Sequence, residues 1–207
     1  MILIRSGEFY RDCLLTASEA LIGFLMGTAI GTMLGLLLWY SQKISQMAQP
    51  YIVAAGSIPV FALGPMLVFW FGTGFASKVA LAILATVVIA LVQAHTGACQ
   101  TDVNLIRLMR LFRARRSQVV MKVVGPSAIM WVLAGARINI GMALLGAFIG
   151  EFIGSSHGLG HSIIVAEGLF NVSQIWVGVL GIVLIALTFQ AITIPIEQWA
   201  RRWRLST

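Results

Sequence analysis

Several residues in this chain have types and spacings that could do chemistry. His157 and His161 are four apart, an interval at which two imidazoles on one helical face can hold a metal, and Glu151 and Glu167 lie nearby. That set would suit a metalloenzyme. Gly158 and Gly160 fall between the two histidines and argue against a helix, so a loop without metal is the better reading. Arg137, with Asn139 beside it, interrupts an otherwise uncharged stretch from 127 to 150. It could meet an anion, or it could cap carbonyls and snorkel. Pro59 and Pro65, with Gly56 and Gly64, break a helical run. The backbone groups they free could line a path or merely mark a packing kink. No Gly-x-x-x-x-Gly-Lys-Ser/Thr phosphate loop occurs, so any ATP must be bound by another chain.

The elements that position these residues follow from composition. Of 207 residues, 59% are hydrophobic and only 10% charged, with a mean hydropathy of +0.94. A soluble domain covers itself with about 25% charged residues, so this surface must face something other than water. Residues 20–42, 44–77, 79–101 and 168–196 carry no charge at all. Each stretch exceeds the ~20 residues needed to cross a bilayer. With the Arg137 segment they give five spans: Ala20–Tyr40, Tyr51–Thr73, Val79–Cys99, Ser127–Gly150 and Gln174–Glu197. The reading is an all-α, polytopic transmembrane bundle forming a single domain, 1–207. The N-terminus, with Arg5, Glu8, Arg11 and Asp12 ahead of the first apolar run, does not read as a cleavable signal peptide. Cys13 and Cys99 read as packing residues rather than a disulfide framework.

Five alternating spans put ten of the fourteen basic residues on one side, in the 102–122 loop, at Lys43 and in the tail Arg201, Arg202 and Arg204. Positive residues mark the cytoplasmic side. The opposite side receives Lys78 and a looped Glu151–Ser173 segment without Lys or Arg. The net charge of +7 is thus a topology signal, and nucleic-acid binding is excluded as its cause. Trp39, Tyr40, Tyr51, Trp176 and Trp199 fall near span ends, as an aromatic belt would place them.

Gly23, Gly27, Gly31 and Gly35 form a smooth stripe on the first span, suited to close helix packing. Leu105, Leu108, Met109 and Phe112 lie at i, i+3, i+4 and i+7, while Arg107, Arg110, Arg113 and Arg116 take a largely different face. Gly125 and Pro126 are read as ending this element, with a new helix beginning there. Such an amphipathic helix could lie on the membrane, bind anionic lipid, or dock into a partner protein.

The order of these features resembles the binding-protein-dependent ABC importer permeases, in particular the nitrate, sulfonate and taurine group. The carriers are Gly23, Gly31 and Gly35; Gln49-Pro50, Ser57-Ile58-Pro59, Leu63-Gly64-Pro65 and Trp70-Phe71-Gly72; Pro126; Gly135-Ala136-Arg137; and Glu151 with Gly158-Leu159-Gly160. The resemblance covers essentially the whole chain. It implies a transporter subunit, not an enzyme, in the bacterial cytoplasmic (inner) membrane. Residues 102–125 would be a cytoplasmic coupling loop of the EAA type, with Leu105, Arg107, Leu108, Met109, Phe112, Arg113, Arg116 and Pro126 meeting a partner ATPase. Other implied partners are an external substrate-binding protein and a second permease copy, all within the lipid bilayer. A translocation path would involve Pro59, Pro65, Arg137, Asn139 and Glu151. No cofactor of its own is implied, since ATP belongs to the partner.

Two departures from the family pattern stand out. The family's Glu-Ala-Ala falls on Arg107-Leu108-Met109, and its loop glycine falls on Arg113. Family members also carry a span ahead of the segment matching Gly7 onward, so the expectation is a six-span fold lacking its first helix. An ATP-independent channel or secondary carrier and, further off, an intramembrane metalloenzyme are the competing functions. The solute, whether nitrate, sulfonate, taurine or a thiamine-precursor pyrimidine, is not encoded in these motifs.

Overall fold

A computed structural model describes residues 7–205, which are helical throughout apart from short connections. Arg5 lies outside the described residues, as do the side chains of Trp199, Arg201, Arg202 and Arg204.

The first helix, α1 (Glu8–Tyr40), is longer than the uncharged run that announced it. It packs along α4 (Phe75–Cys99), and the glycine stripe is the contact. A Cβ on Gly23 would strike Ala82; on Gly27, Thr86 and the Ile83 carbonyl; on Gly31, Ala90 and the Val87 carbonyl; on Gly35, Ala94 and the Leu91 carbonyl. The backbones therefore approach as closely as small-residue seams permit in membranes. The partner number rises by four each time the glycine number does, so α1 and α4 run parallel.

Two parallel helices require the chain between them to cross back. That crossing is α2 (Gln42–Ser57) followed by α3 (Val60–Phe71), bent by 86°. Ser45 of α2 meets His95 near the end of α4, while Gly64 and Val68 of α3 meet Ile153 and Gly154 at the other end of the bundle. The expected span Tyr51–Thr73 thus exists in broken form. Of the two prolines, only Pro59 sits at the break, where Ile58 and Pro59 are extended; Pro65 is accommodated within α3.

After α4 come α5 (Val103–Leu111), a short α6 (Arg116–Val119), a π-helical turn (Val120–Val124), α7 (Gly125–Ala134) and α8 (Ala136–Gly154). A new helix does begin at Gly125, as expected, but no break precedes it, so Gly125 and Pro126 do not end the element before them. The π turn leads directly into α7, Gly125 N donates to Val120 O, and Pro126 lies in the first turn of the new helix, where its missing N–H costs nothing. At Gly135 the helix is interrupted for one residue. Its contacts with α4 continue through that point in one antiparallel register, from Trp131–Gly97 through Gly135–Gln93 and Gly146–Ala82 to Gly150–Lys78. The two segments form one crossing, although each is long and apolar enough by itself when α6 is included.

The Glu151–Ser173 segment is not a plain loop, because it holds α9 (Leu159–Gly168). The chain closes with α10 (Val172–Leu205), giving five crossings. Packing is inverted relative to a soluble protein. The interior is rich in Ala and Gly and buries Asp12, Glu19, Lys78 and Glu151, while Leu25, Met33, Phe69 and Leu184 point outward. Lipid as solvent explains both halves: apolar bulk costs nothing outside, and helices associate through small residues and satisfied polar groups.

Candidate functional site

The two ends of the bundle differ in kind. At the end holding Glu151, charge is buried and paired. Asp12, Thr16 and Glu19 lie at i, i+4 and i+7 on α1, in line with the glycine stripe, and all three are buried. Thr16 Oγ1 donates to Glu151 Oε1 at 2.6 Å and accepts from Leu159 N at 3.1 Å. Glu151 Oε2 accepts from Gly160 N at 2.7 Å. Asp12 accepts from Gly158 N at 2.9 Å and from Ser162 Oγ at 2.8 Å. The orphan donors at the start of α9 are thus capped by carboxylates of two other helices. Gly158 has φ +105°, and a Cβ there would run into the Glu151 carboxyl, so glycine is required twice over. The Glu-and-Gly-Leu-Gly motif is a lock that pins α9 across the ends of α1 and α8.

Lys78, expected in an exterior connection, is 3% exposed, and its Nζ donates to the Thr73 carbonyl. Glu19 faces both Lys78 and Glu151, with Oε2 unpartnered. Sequence reasoning missed Asp12, Thr16, Glu19 and Lys78. The signal was available in the polar continuation of the glycine stripe toward the N-terminus.

His157 and His161 line a polar cavity of about 410 Å³ with Glu8, Arg11 and Gln174. His157 precedes α9, whereas His161 belongs to it. Among the described residues no group of three His, Cys, Asp or Glu side chains is placed to hold a metal.

Midway along the bundle, Asn139 is fully buried and its Nδ2 donates to Gln93 Oε1 at 3.0 Å, directly beneath the close approach of Gly135 to Gln93. Arg137 lies on the outward side of α8, in line with Gly141 and Leu145, which are also exposed. The residues expected to share a path differ in burial. Pro59, Pro65 and Arg137 are exposed in the single chain, while Asn139 and Glu151 are buried inside it.

The opposite end is basic. α5 starts at Asp102, whose carboxylate caps Asn104 N at 2.8 Å. Its apolar residues divide. Ile106 and Met109 pack on a cluster formed by Ala94, Ala98, Val119, Val124, Ala128 and Val132. Leu105, Leu108 and Phe112 point away from the bundle, with Phe112 76% exposed. Met109 thus belongs to the core side, not to the outward face it was grouped with. The helix closes with Ala114 N donating to Met109 O and Arg113 N to Arg110 O, a Schellman ending. That ending places Arg113 in the left-handed region at φ +54°. Arg116 stacks its guanidinium over the Tyr40 ring at 5.5 Å, tying this loop to the end of α1. His95 Nε2 shares a 3.0 Å hydrogen bond with Ser45 Oγ, so α2 is tied to α4 at the same end. Cys13 packs on the core around Ala20 and Leu159, but Cys99 is exposed, contrary to its expected packing role.

Known proteins share this arrangement. A probable ABC transporter permease protein of Haemophilus influenzae is 34% identical over 83% of this chain and 70% of its own length. A riboflavin transport system permease protein of Chloroflexus aurantiacus is 32% identical over 98% of this chain and 76% of its own. A putative aliphatic sulfonates transport permease protein of Bacillus subtilis is 27% identical, covering 99% and 74%. In fold, a chain of the MetNI methionine ABC transporter in an inward-facing conformation superposes with a TM-score of 0.83 at 18% identity, over 94% of this chain and 97% of that one. Residues 27–202 match the family described as binding-protein-dependent transport system inner membrane component. The chain belongs to that family and is a permease subunit of an ABC importer.

Proposed function

We propose that this permease moves a small polar solute by alternating access, with the basic end in the cytoplasm and α5 docked on a partner ABC ATPase. The observation that carries this reading is the outward apolar face of α5. Leu105, Leu108 and Phe112 stand exposed beside Arg107 and Arg110 on a helix whose other side, through Ile106 and Met109, is fixed to the bundle. A helix anchored on one side and bare on the other suits force transfer from a second protein. The loop of residues 102–125 is then a coupling segment, and the charge reversal at Arg107 favours an ATPase groove with acidic residues.

A second copy of the chain completes the path. Arg137 supports this, because an arginine facing hydrocarbon at mid-helix costs about 2.5–3.5 kcal/mol. Its line on α8, with Gly141 and Leu145, is better placed against a partner subunit or a water-filled cavity. A binding protein delivers the solute at the Glu151 end. Similar proteins are named for aliphatic sulfonates, riboflavin and formylaminopyrimidine, so small anionic or heteroaromatic solutes are the class to screen.

The test is co-purification of the permease with its ATPase. Leu108→Asp is expected to abolish association while membrane insertion and monodispersity are kept. Unchanged association in that variant would remove the docking assignment.

A further inference from the structure

The 86° bend between α2 and α3 swings α2 away from the bundle, and the space it leaves is an apolar groove. The groove has a volume of about 520 Å³ and lies between α1, α2 and α4, walled by Leu34, Leu38, Ala48, Ile52, Val88 and Leu91. It opens at the basic end beside Tyr40 and Ser41. Arg116 holds its guanidinium over Tyr40 at that mouth, and Lys43 lies exposed between the groove residues Ser41 and Ile44.

An apolar slot with the Arg116 guanidinium over its Tyr40 wall and the exposed Lys43 next to its Ile44 wall in the chain matches one ligand chemistry, an acyl chain carrying an anionic headgroup. We infer that the groove seats one anionic phospholipid from the leaflet bordering residues 102–124, its chain between α1 and α2 and its phosphate between Lys43 and Arg116. The sign of the mouth favours this occupant over a second copy of the chain, because a second copy would bring its own basic belt toward the same cations. The lipid would fill the space that the bend opens and hold α2 at its angle. This inference rests on the bilayer being the solvent and is independent of the ATPase assignment.

The full chain is reconstituted in vesicles of phosphatidylcholine with one-fifth phosphatidylglycerol, re-extracted in mild detergent, and its retained lipids are identified by native mass spectrometry. Wild type is expected to keep one phosphatidylglycerol per chain, with the ratio of phosphatidylglycerol to phosphatidylcholine among retained lipids raised roughly tenfold or more over the bulk ratio, as two basic residues at an anionic surface would produce. The Lys43→Gln, Arg116→Gln double variant should lose the headgroup preference yet still retain lipid. Ala48→Phe, which fills the slot, should lose the retained lipid altogether. Absence of retained lipid in wild type, or an unchanged preference in the double variant, overturns the proposal. So does efficient disulfide formation between Ala48→Cys residues of two chains, which would make a second copy the occupant. If Ala48→Phe does not fold, the charge variants alone decide the outcome.

Discussion

Thr16 and Glu151 are separated by 135 residues and joined by a 2.6 Å hydrogen bond. Through that bond α1 is tied to α8, and through the other carboxylate oxygen α8 is tied to the start of α9. Glu151→Ala should leave the Gly160 amide without its partner in a buried setting, while the Thr16 hydroxyl keeps the Asp12 carbonyl at 3.0 Å. The expected loss is about 1–3 kcal/mol for that one group. Thr16→Val should cost more, because the Leu159 amide and Glu151 Oε1 both lose a partner. Thermal unfolding in detergent by intrinsic fluorescence would rank the two; a smaller loss for Thr16→Val would mean that the hydroxyl is not what joins α1 to α8 and α9.

The seam between α1 and α4 leaves no room for a side chain. Gly31→Val is expected to force the helices apart and destabilise by about 2 kcal/mol or more. Gly141→Val, on a face where an added Cβ meets nothing within the chain, should leave the monomer's stability unchanged. Size-exclusion profiles after graded heating would separate the two. A loss of oligomer with Gly141→Val and no loss of monomer stability would support a second copy on that face.

Arg113 holds a left-handed backbone that a non-glycine residue adopts at a cost of about 1–2 kcal/mol. Arg113→Gly should therefore stabilise the end of α5, slowing amide exchange at Phe112–Ala114 by roughly fivefold to tenfold for about 1 kcal/mol. No change in exchange would mean that Arg113 recovers the cost through contacts of its own side chain.

The division of the α5 apolar face yields a paired prediction. Met109→Ala should lower stability by about 2 kcal/mol, because its side chain packs on the core cluster. Leu108→Ala should leave stability within about 0.5 kcal/mol, because its side chain faces outward. Thermal unfolding of the permease alone reads both; the reverse order would invert the orientation of the helix.

Much of this architecture was legible in the residues. Charge-free runs located four of the five crossings and the stretch broken only by Arg137 the fifth, and the stripe of Gly23, Gly27, Gly31 and Gly35 announced a close helix contact, though not that α4 would be its partner. The two failures in the span map have one cause. A span boundary placed at a charge assumes that the charge leaves the bilayer. Asp12, Glu19 and Lys78 instead remain inside, satisfied or faced by one another and by backbone groups, so α1 begins earlier and Lys78 is not in an exterior loop. At Gly125-Pro126 the expected helix stop rested on local propensity. A π turn absorbed the proline without a break, and no single-residue preference anticipates that. For the site, periodicity found the α5 helix but could not choose which of its apolar residues the core would claim. The left-handed Arg113 was half-visible, as the position where the family pattern has glycine.

The parallel pairing of α1 and α4 has a mechanical result. Glycine-to-backbone contact from Gly23 to Gly35 leaves no soft side-chain layer in which one rod could slip past the other. A push delivered beside Tyr40 and Cys99 must therefore arrive beside Asp12 and Lys78 as a rigid tilt, undiminished by shear. The break in helical geometry lies elsewhere, at the extended Ile58–Pro59 elbow between α2 and α3, and that is where such a push would bend the chain.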